Sequence, residues 1–79
     1  MDPTHDGYRR LMIAVLDDAI RVLTSRPRPR RRSRREWLEV REWFLVHDEY
    51  WPFSFVNLCS TLDLDARRLR RRLAPHLAV

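Results

Sequence analysis

The chain has 79 residues and a formal net charge of +5, and all 16 of its basic residues are arginine. A chain of this length forms one domain with a modest core. The longest apolar run, 11–16, is too short to cross a bilayer, and we expect no signal peptide. The single cysteine, Cys59, excludes an internal disulfide and a cysteine-based zinc cluster. We therefore expect a cytoplasmic protein with no metal and no cofactor.

The positive charge is concentrated in two short segments. Residues 26–35 contain seven arginines and no acid, and residues 65–72 contain five arginines and only Asp65. The remaining residues carry four arginines against ten acids. This distribution is typical of a surface that binds phosphates, and arginine makes forked contacts to phosphates and base edges that lysine cannot make.

The first predicted helix covers residues 7–24, and a basic linker follows at 25–33. Apolar residues recur at spacings of three and four along the helix, with Asp6 as its N-cap. Because Pro27 and Pro29 interrupt helices and like charges repel, we expect the linker to be extended and flexible. No nucleophile and base occur in a catalytic arrangement, so we expect no enzyme.

The second predicted helix covers residues 34–47. Ser33 and Glu36 have the spacing of a capping box at its start. Trp37, Val40 and Phe44 form one apolar stripe, so we assign the aromatic residues to the core.

Residues 54–74 predict two short helices joined by a tight turn. Ser54 and Asp65 are good N-caps, and Asp63 tolerates the left-handed conformation that such a turn requires. Leu64 is expected to be buried in the turn, stapled to Leu69.

This segment resembles the helix-turn-helix motif of DNA-binding proteins. Cys59 takes the position of the usual small residue between the helices, Asp63 that of the usual glycine, and Asp65 opens the second helix. Arg72 departs from the pattern, so we expect either that Leu73 closes the core in its place or that Arg72 lies along the rim of the core. The strings AVLDDAI, REWF, WPFSFVNLC and LDLDARRLRRRL also resemble small, poorly characterised bacterial and prophage-type proteins. The resemblance implies a small all-α domain of about four helices with a C-terminal helix-turn-helix.

The motif implies that the last helix enters the major groove of DNA with the face opposite its leucines. We expect Arg67, Arg70 and Arg71 to contact base edges and Arg68 and Arg72 to contact phosphates. The linker arginines are expected to follow phosphates or enter a minor groove. From the basic stretch 26–35, which includes the first turn of the second predicted helix, the candidate contacts are Arg30, Arg31, Arg32, Arg34 and Arg35.

The leading hypothesis is a transcriptional or prophage-type regulator that binds duplex DNA in the nucleoid, as a homodimer through helix 1 if its binding is sequence-specific. No membrane or small-molecule partner is expected. A protein–protein adaptor or inhibitor is an alternative, using the acidic residues Glu36, Glu39 and Glu42 and the aromatic loop 50–53. The arginine-rich segments would also suit an RNA-binding protein.

Overall fold

Four α-helices make up the fold that a computed structural model describes over residues 3–25 and 31–78, with side chains for residues 7–25 and 33–78. Those residues contain no β-strand, so the predicted all-α class and helix number are confirmed. In chain order the helices are α1 (Pro3–Thr24), α2 (Arg31–Leu45), α3 (Phe55–Thr61) and α4 (Ala66–Leu77).

Helix α1 begins four residues earlier than the predicted start at Gly7. Proline is favoured in the first turn of a helix, because its missing N–H has no partner there. Asp6 therefore lies inside the helix, and its predicted role as N-cap is wrong. A glycine inside a helix costs about 1 kcal/mol relative to alanine, which is too little to end α1 at Gly7.

Helix α2 begins at Arg31 and ends at Leu45, so it starts three residues and ends two residues before the predicted range 34–47. Ser33 is inside the helix, and the predicted capping box is wrong. Arginine is a good helix former, which extends α2 toward Pro29. The predicted linker 25–33 is therefore too long at its C-terminal end, and its residues 26–30 lie outside the described part of the chain.

The core lies between α1 and the other three helices. Phe44 of α2 and Phe55 of α3 are completely buried, with ring centroids 5.0 Å apart. Trp43 stands edge-on to Phe55 at 5.6 Å. This confirms that most of the aromatic residues belong to the core. The other buried apolar residues are Met12, Leu16, Ala19, Leu23, Leu58, Cys59, Leu62, Leu73 and Leu77.

The C-terminal ends of three helices are closed by side chains from other helices. The last carbonyl groups of a helix have no partner within it and must be satisfied from outside. Trp37 of α2 donates its indole N–H to the carbonyl of Leu23 near the end of α1, at 3.0 Å. Arg41 of α2 donates Nε–H to the carbonyl of Leu77, the last residue of α4.

Arg70 of α4 closes the C-terminal end of α2 in return. Its Nε–H donates to the carbonyl of Phe44 at 2.6 Å, and Nη2 lies 3.4 Å from the carbonyl of Val46. Its guanidinium carbon lies 5.0 Å from the centroid of the Phe55 ring, a cation–π contact. Arg41 and Arg70 thus fasten α2 and α4 together, each helix supplying the cap of the other.

Helix α4 continues past the predicted end of the second short helix at residue 74. Pro75 lies inside its last turn and removes one backbone hydrogen bond. Leu77 is buried and its carbonyl accepts from Arg41, so two tertiary contacts hold this last turn in place. Leu73 is also buried, which confirms that it closes the core beside the exposed Arg72.

The turn between α3 and α4 is a Schellman motif. The N–H of Leu64 donates to the carbonyl of Cys59 at 2.8 Å, and that of Asp63 donates to the carbonyl of Ser60 at 3.4 Å. Asp63 has a φ of 57°, the predicted left-handed conformation. The predicted N-caps are also confirmed, since Ser54 accepts from the N–H of Asn57 and Asp65 from that of Arg68.

Leu64 is 44% exposed, so its predicted burial in the turn is wrong. Asp63, the left-handed residue before it, turns the chain so that Leu64 lines a groove between α1 and α4. Leu16 and Ile20 of α1 and Leu69 of α4 line the same groove.

Arg70→Ala is expected to lower the free energy of unfolding by about 2–3 kcal/mol. The substitution removes charge-assisted hydrogen bonds worth about 1.5–3 kcal/mol and a cation–π contact, and leaves the end of α2 uncapped. Urea unfolding followed by tryptophan fluorescence measures it. The matched Arg71→Ala should change stability by less than about 0.5 kcal/mol, because Arg71 is exposed. Equal effects of the two substitutions would contradict the structural role of Arg70.

Asp63→Gly is expected to stabilise the fold by about 0.5–1 kcal/mol, because glycine adopts the left-handed conformation without strain. Asp63→Val should destabilise it by about 1–2 kcal/mol, since a branched side chain is strained there. Thermal unfolding of both variants measures the difference. A valine variant as stable as the glycine variant would contradict the Schellman geometry.

Candidate nucleic-acid interface

The outer face of α4 presents four exposed arginines. Leu73 and Leu77 are buried in the core, and Leu69 packs against it. Since residues in a helix advance by about 100° each, the opposite side is left to the basic positions. The outer arginine face, as we name it, consists of Arg67, Arg68, Arg71 and Arg72.

None of these four side chains forms an ion pair within the described part of the chain. The ion pairs found there join Arg21 to Asp18 at 2.7 Å and His47 to Glu49 at 3.2 Å. The nearest acid in sequence, Asp65, uses its carboxylate to accept the backbone N–H of Arg68 at 3.1 Å. No acidic side chain of the described residues therefore neutralises the positive charge of the outer arginine face.

Three of the four arginines surround a common depression. Arg68, Arg71 and Arg72 line a concave region of about 370 Å³ on the surface of α4. Arginine side chains grouped around one shallow region suit the oxygens of a phosphate.

Arg70 points to the opposite side of α4. Its Nε–H and Nη2 are directed to backbone carbonyls of residues 44 and 46, and its side chain is half-buried. The sequence predicts that Arg70 contacts base edges together with Arg67 and Arg71. In the structure its side chain instead points toward the end of α2. The reason is that the uncapped end of α2 lies within reach of the guanidinium, and charged hydrogen bonds to carbonyl groups stabilise that position.

Of the predicted linker arginines, Arg34 and Arg35 have described side chains, and these two do not join the outer arginine face. Arg34 and Arg35 are exposed on α2, where they surround a depression with Leu38, Glu39 and Glu42. Arg31 and Arg32 lie in the first turn of α2, but their side chains are outside the described set, as is the whole of Arg30.

An apolar groove runs beside the outer arginine face, a feature that the sequence did not predict. It has a volume of about 580 Å³ and lies between α1 and α4. Arg68 and Arg72 lie on its α4 side, with Asp63 and Asp65 at the turn. The sequence feature connected with this groove is Leu64. The motif places this apolar residue in the core, but the structure leaves it exposed in the lining of the groove.

The loop between α2 and α3 holds two aromatic side chains in solvent. Tyr50 is 97% exposed and Trp51 is 53% exposed. The Asp48 carboxylate accepts the N–H of Tyr50 at 2.8 Å, and the Ser54 hydroxyl donates to the carbonyl of Asp48 at 2.6 Å. These bonds fix the backbone of the loop, so the two aromatic residues are presented from a defined position.

The described residues hold neither an activated thiol nor a cluster of metal-binding side chains. Burial raises the pKa of the Cys59 thiol, which disfavours the reactive thiolate. No group of three metal-binding side chains converges within the described residues. None of the helices there combines the length and the apolarity that crossing a bilayer requires.

Comparison with protein-family models, with curated proteins and with solved structures finds no match to this chain. A functional assignment therefore depends on the geometry and charge of the residues themselves.

Proposed function

We propose that the chain binds duplex DNA through the outer arginine face of α4. The observation that carries this proposal is the division among the arginines of α4. Arg70 is held by backbone carbonyls, whereas Arg67, Arg68, Arg71 and Arg72 are exposed and form no ion pair with any side chain that the structure describes. Like charges three and four residues apart in a helix are unfavourable by a few tenths of a kcal/mol per pair. A polyanion along this face removes that repulsion.

Helices α3 and α4 form the helix-turn-helix in this proposal, with α4 as the recognition helix. The short turn at Asp63 and the N-cap at Asp65 leave the first turn of α4 exposed, where such helices approach the major groove. Arg67 and Arg71 lie on α4 outside the groove that Arg68 and Arg72 line, and they are proposed to contact base edges. Arg68 and Arg72 are proposed to contact phosphates.

A regulatory protein of the bacterial or phage nucleoid is the role that suits this activity. Four arginines on a single helix supply strong electrostatic attraction but few base contacts. Binding by one copy is therefore proposed to be semi-specific, with most of its affinity from phosphate contacts.

A second candidate function is that of a protein–protein adaptor. The observation that favours it is the exposure of Tyr50 and Trp51 on a loop whose backbone is fixed. Exposed aromatic residues in a defined position are typical anchors of protein interfaces. This loop and the outer arginine face are separate surfaces, so experiment can distinguish the two functions.

The double substitution Arg68→Ala/Arg72→Ala, which removes both proposed phosphate contacts of α4, is expected to weaken binding to a labelled random duplex at least tenfold. It should also reduce the slope of log affinity against log salt by about 1.8, since each phosphate contact contributes about 0.9. Fluorescence anisotropy at several salt concentrations measures both quantities. The matched control, Arg34→Ala/Arg35→Ala, removes the same charge from exposed positions on α2 and should have a much smaller effect.

Equal losses in both double variants would contradict an interface centred on α4. No binding to DNA at low salt would overturn the proposed function and favour the adaptor. A single-stranded or hairpin RNA of the same length serves as the third arm of the test. Tighter binding to RNA than to the duplex would assign the outer arginine face to RNA instead.

A further inference from the structure

Helix α2 presents a surface on which charged side chains of both signs surround an exposed leucine. Leu38 is 44% exposed and lines a depression of about 430 Å³. The charged residues that line the same depression are all exposed, and they are Arg34, Arg35, Glu39 and Glu42. None of them forms an ion pair with a side chain that the structure describes. We name this surface, together with Leu38, the α2 outer face.

The groove between α1 and α4 carries the opposite order of charges along its length. Its apolar lining residues are Leu16, Ile20, Leu64 and Leu69. The acidic residues Asp63 and Asp65 line its end at the turn, and the basic residues Arg68 and Arg72 follow along α4. In the direction of the chain, the groove therefore has acid before base, whereas the α2 outer face has base before acid.

The spacing of these charges along the two helix axes also matches. We set α2 of one copy parallel to α4 of another, with Arg35 level with Asp65. The last charged residue of each surface, Glu42 or Arg72, then lies seven residues further on, about 10 Å along its axis. The middle pair differs in height by one residue, about 1.5 Å. The opposed pairs are Arg35 with Asp65, Glu39 with Arg68, and Glu42 with Arg72. Antiparallel helices would bring like charges together instead.

The positions of the charges around the two helices agree with the same arrangement. Seen from the N-terminus, the two glutamates of the α2 outer face lie about 40–100° clockwise of Leu38. On α4, the two arginines of the groove lie about 60–100° counter-clockwise of Leu69. In a parallel pair, these two sides face each other. The charged residues can therefore meet while Leu38 lies over the apolar lining of the groove.

We infer that the groove between α1 and α4 is the docking site for the α2 outer face of a second copy of this chain, packed parallel to α4. Leu38 of the second copy covers apolar side chains that the fold of one copy leaves in contact with solvent, such as Leu64. Two different surfaces meet in this contact, so it is heterologous and lets copies join head to tail.

The inference goes beyond the proposed function and does not depend on it, because the contact between copies requires no nucleic acid. The two are connected through Arg68 and Arg72, which line the groove and are also the proposed phosphate contacts. A docked copy covers both side chains. Where both proposals hold, DNA and a second copy therefore compete for the same two arginines.

Sedimentation equilibrium of the purified full chain, without DNA, tests the inference. The average mass of the wild type should rise with concentration above 9.7 kDa, and less steeply at high salt, because salt screens the ion pairs. Leu38→Glu should weaken the association at least tenfold, because it places a charge against the apolar lining of the groove. Leu11→Glu is the matched control and should have no effect. Leu11 is 51% exposed on α1 and lies about 140° around that helix from Leu16 of the groove.

A mixture of two variants tests whether the α2 outer face meets the groove. Arg68→Glu/Arg72→Glu reverses the charge of the groove and should also be monomeric alone. Mixed with Leu38→Glu, it supplies an intact α2 outer face to the intact groove of the other variant. The mixture should therefore form a pair of twice 9.7 kDa and nothing larger. Circular dichroism checks that both variants are folded.

A wild type that stays monomeric at every concentration would overturn the inference. So would a mixture that remains as monomeric as its two components, because the α2 outer face and the groove would then not be partners. A Leu11→Glu variant that dissociates as readily as Leu38→Glu would place the contact on another side of α1 and would also contradict it.

Discussion

Two arginines that cap each other's helices determine how α4 is held in this fold. Arg41 of α2 donates to the last carbonyl of α4, and Arg70 of α4 donates to the carbonyls at the end of α2. Each bond satisfies a group that its own helix cannot satisfy, and such buried or half-buried carbonyls are unfavourable when left unpaired. The pair therefore fixes both the position of α4 and its rotation about its own axis.

The rotation of α4 determines which arginines remain available. With Arg70 turned inward over Phe55 and the leucines in the core, the positions at Arg67, Arg68, Arg71 and Arg72 can only face solvent. A small domain has a small core, so few contacts are available to fix the orientation of a helix such as α4. Helix α4 therefore has two roles in this account. Arg70 stabilises the fold, and the four exposed arginines are available for the proposed binding.

The sequence predicts the local features of this structure and misses those that depend on distant partners. The caps Ser54 and Asp65 and the left-handed Asp63 were predictable, because each depends on residues within five positions. Arg70 was not, since it lies about 60° from Leu73 on the helix, at the border between core and solvent. Its direction is decided by a carbonyl 26 residues away in sequence.

The predicted start of α2 and the predicted burial of Leu64 are both wrong because local sequence rules are outweighed by other interactions. Ser33 has the right spacing for a capping box, but a run of arginines favours helix strongly enough to begin α2 before it. Leu64 matches the buried position of the motif, but its burial depends on how closely α1 approaches the turn. The distance between α1 and the turn cannot be predicted from helix propensity or from the periodicity of apolar residues.

The hydrogen exchange of the arginine Nε–H groups, measured by NMR with and without duplex DNA, tests the division of the arginines most directly. The Nε–H groups of Arg41 and Arg70 should exchange slowly and keep their chemical shifts when DNA is added. Those of the outer arginine face should exchange rapidly in the free protein and shift on DNA addition. A rapidly exchanging Arg70 whose resonance shifts with DNA would contradict the account, because the residue would then belong to the interface and not to the cap.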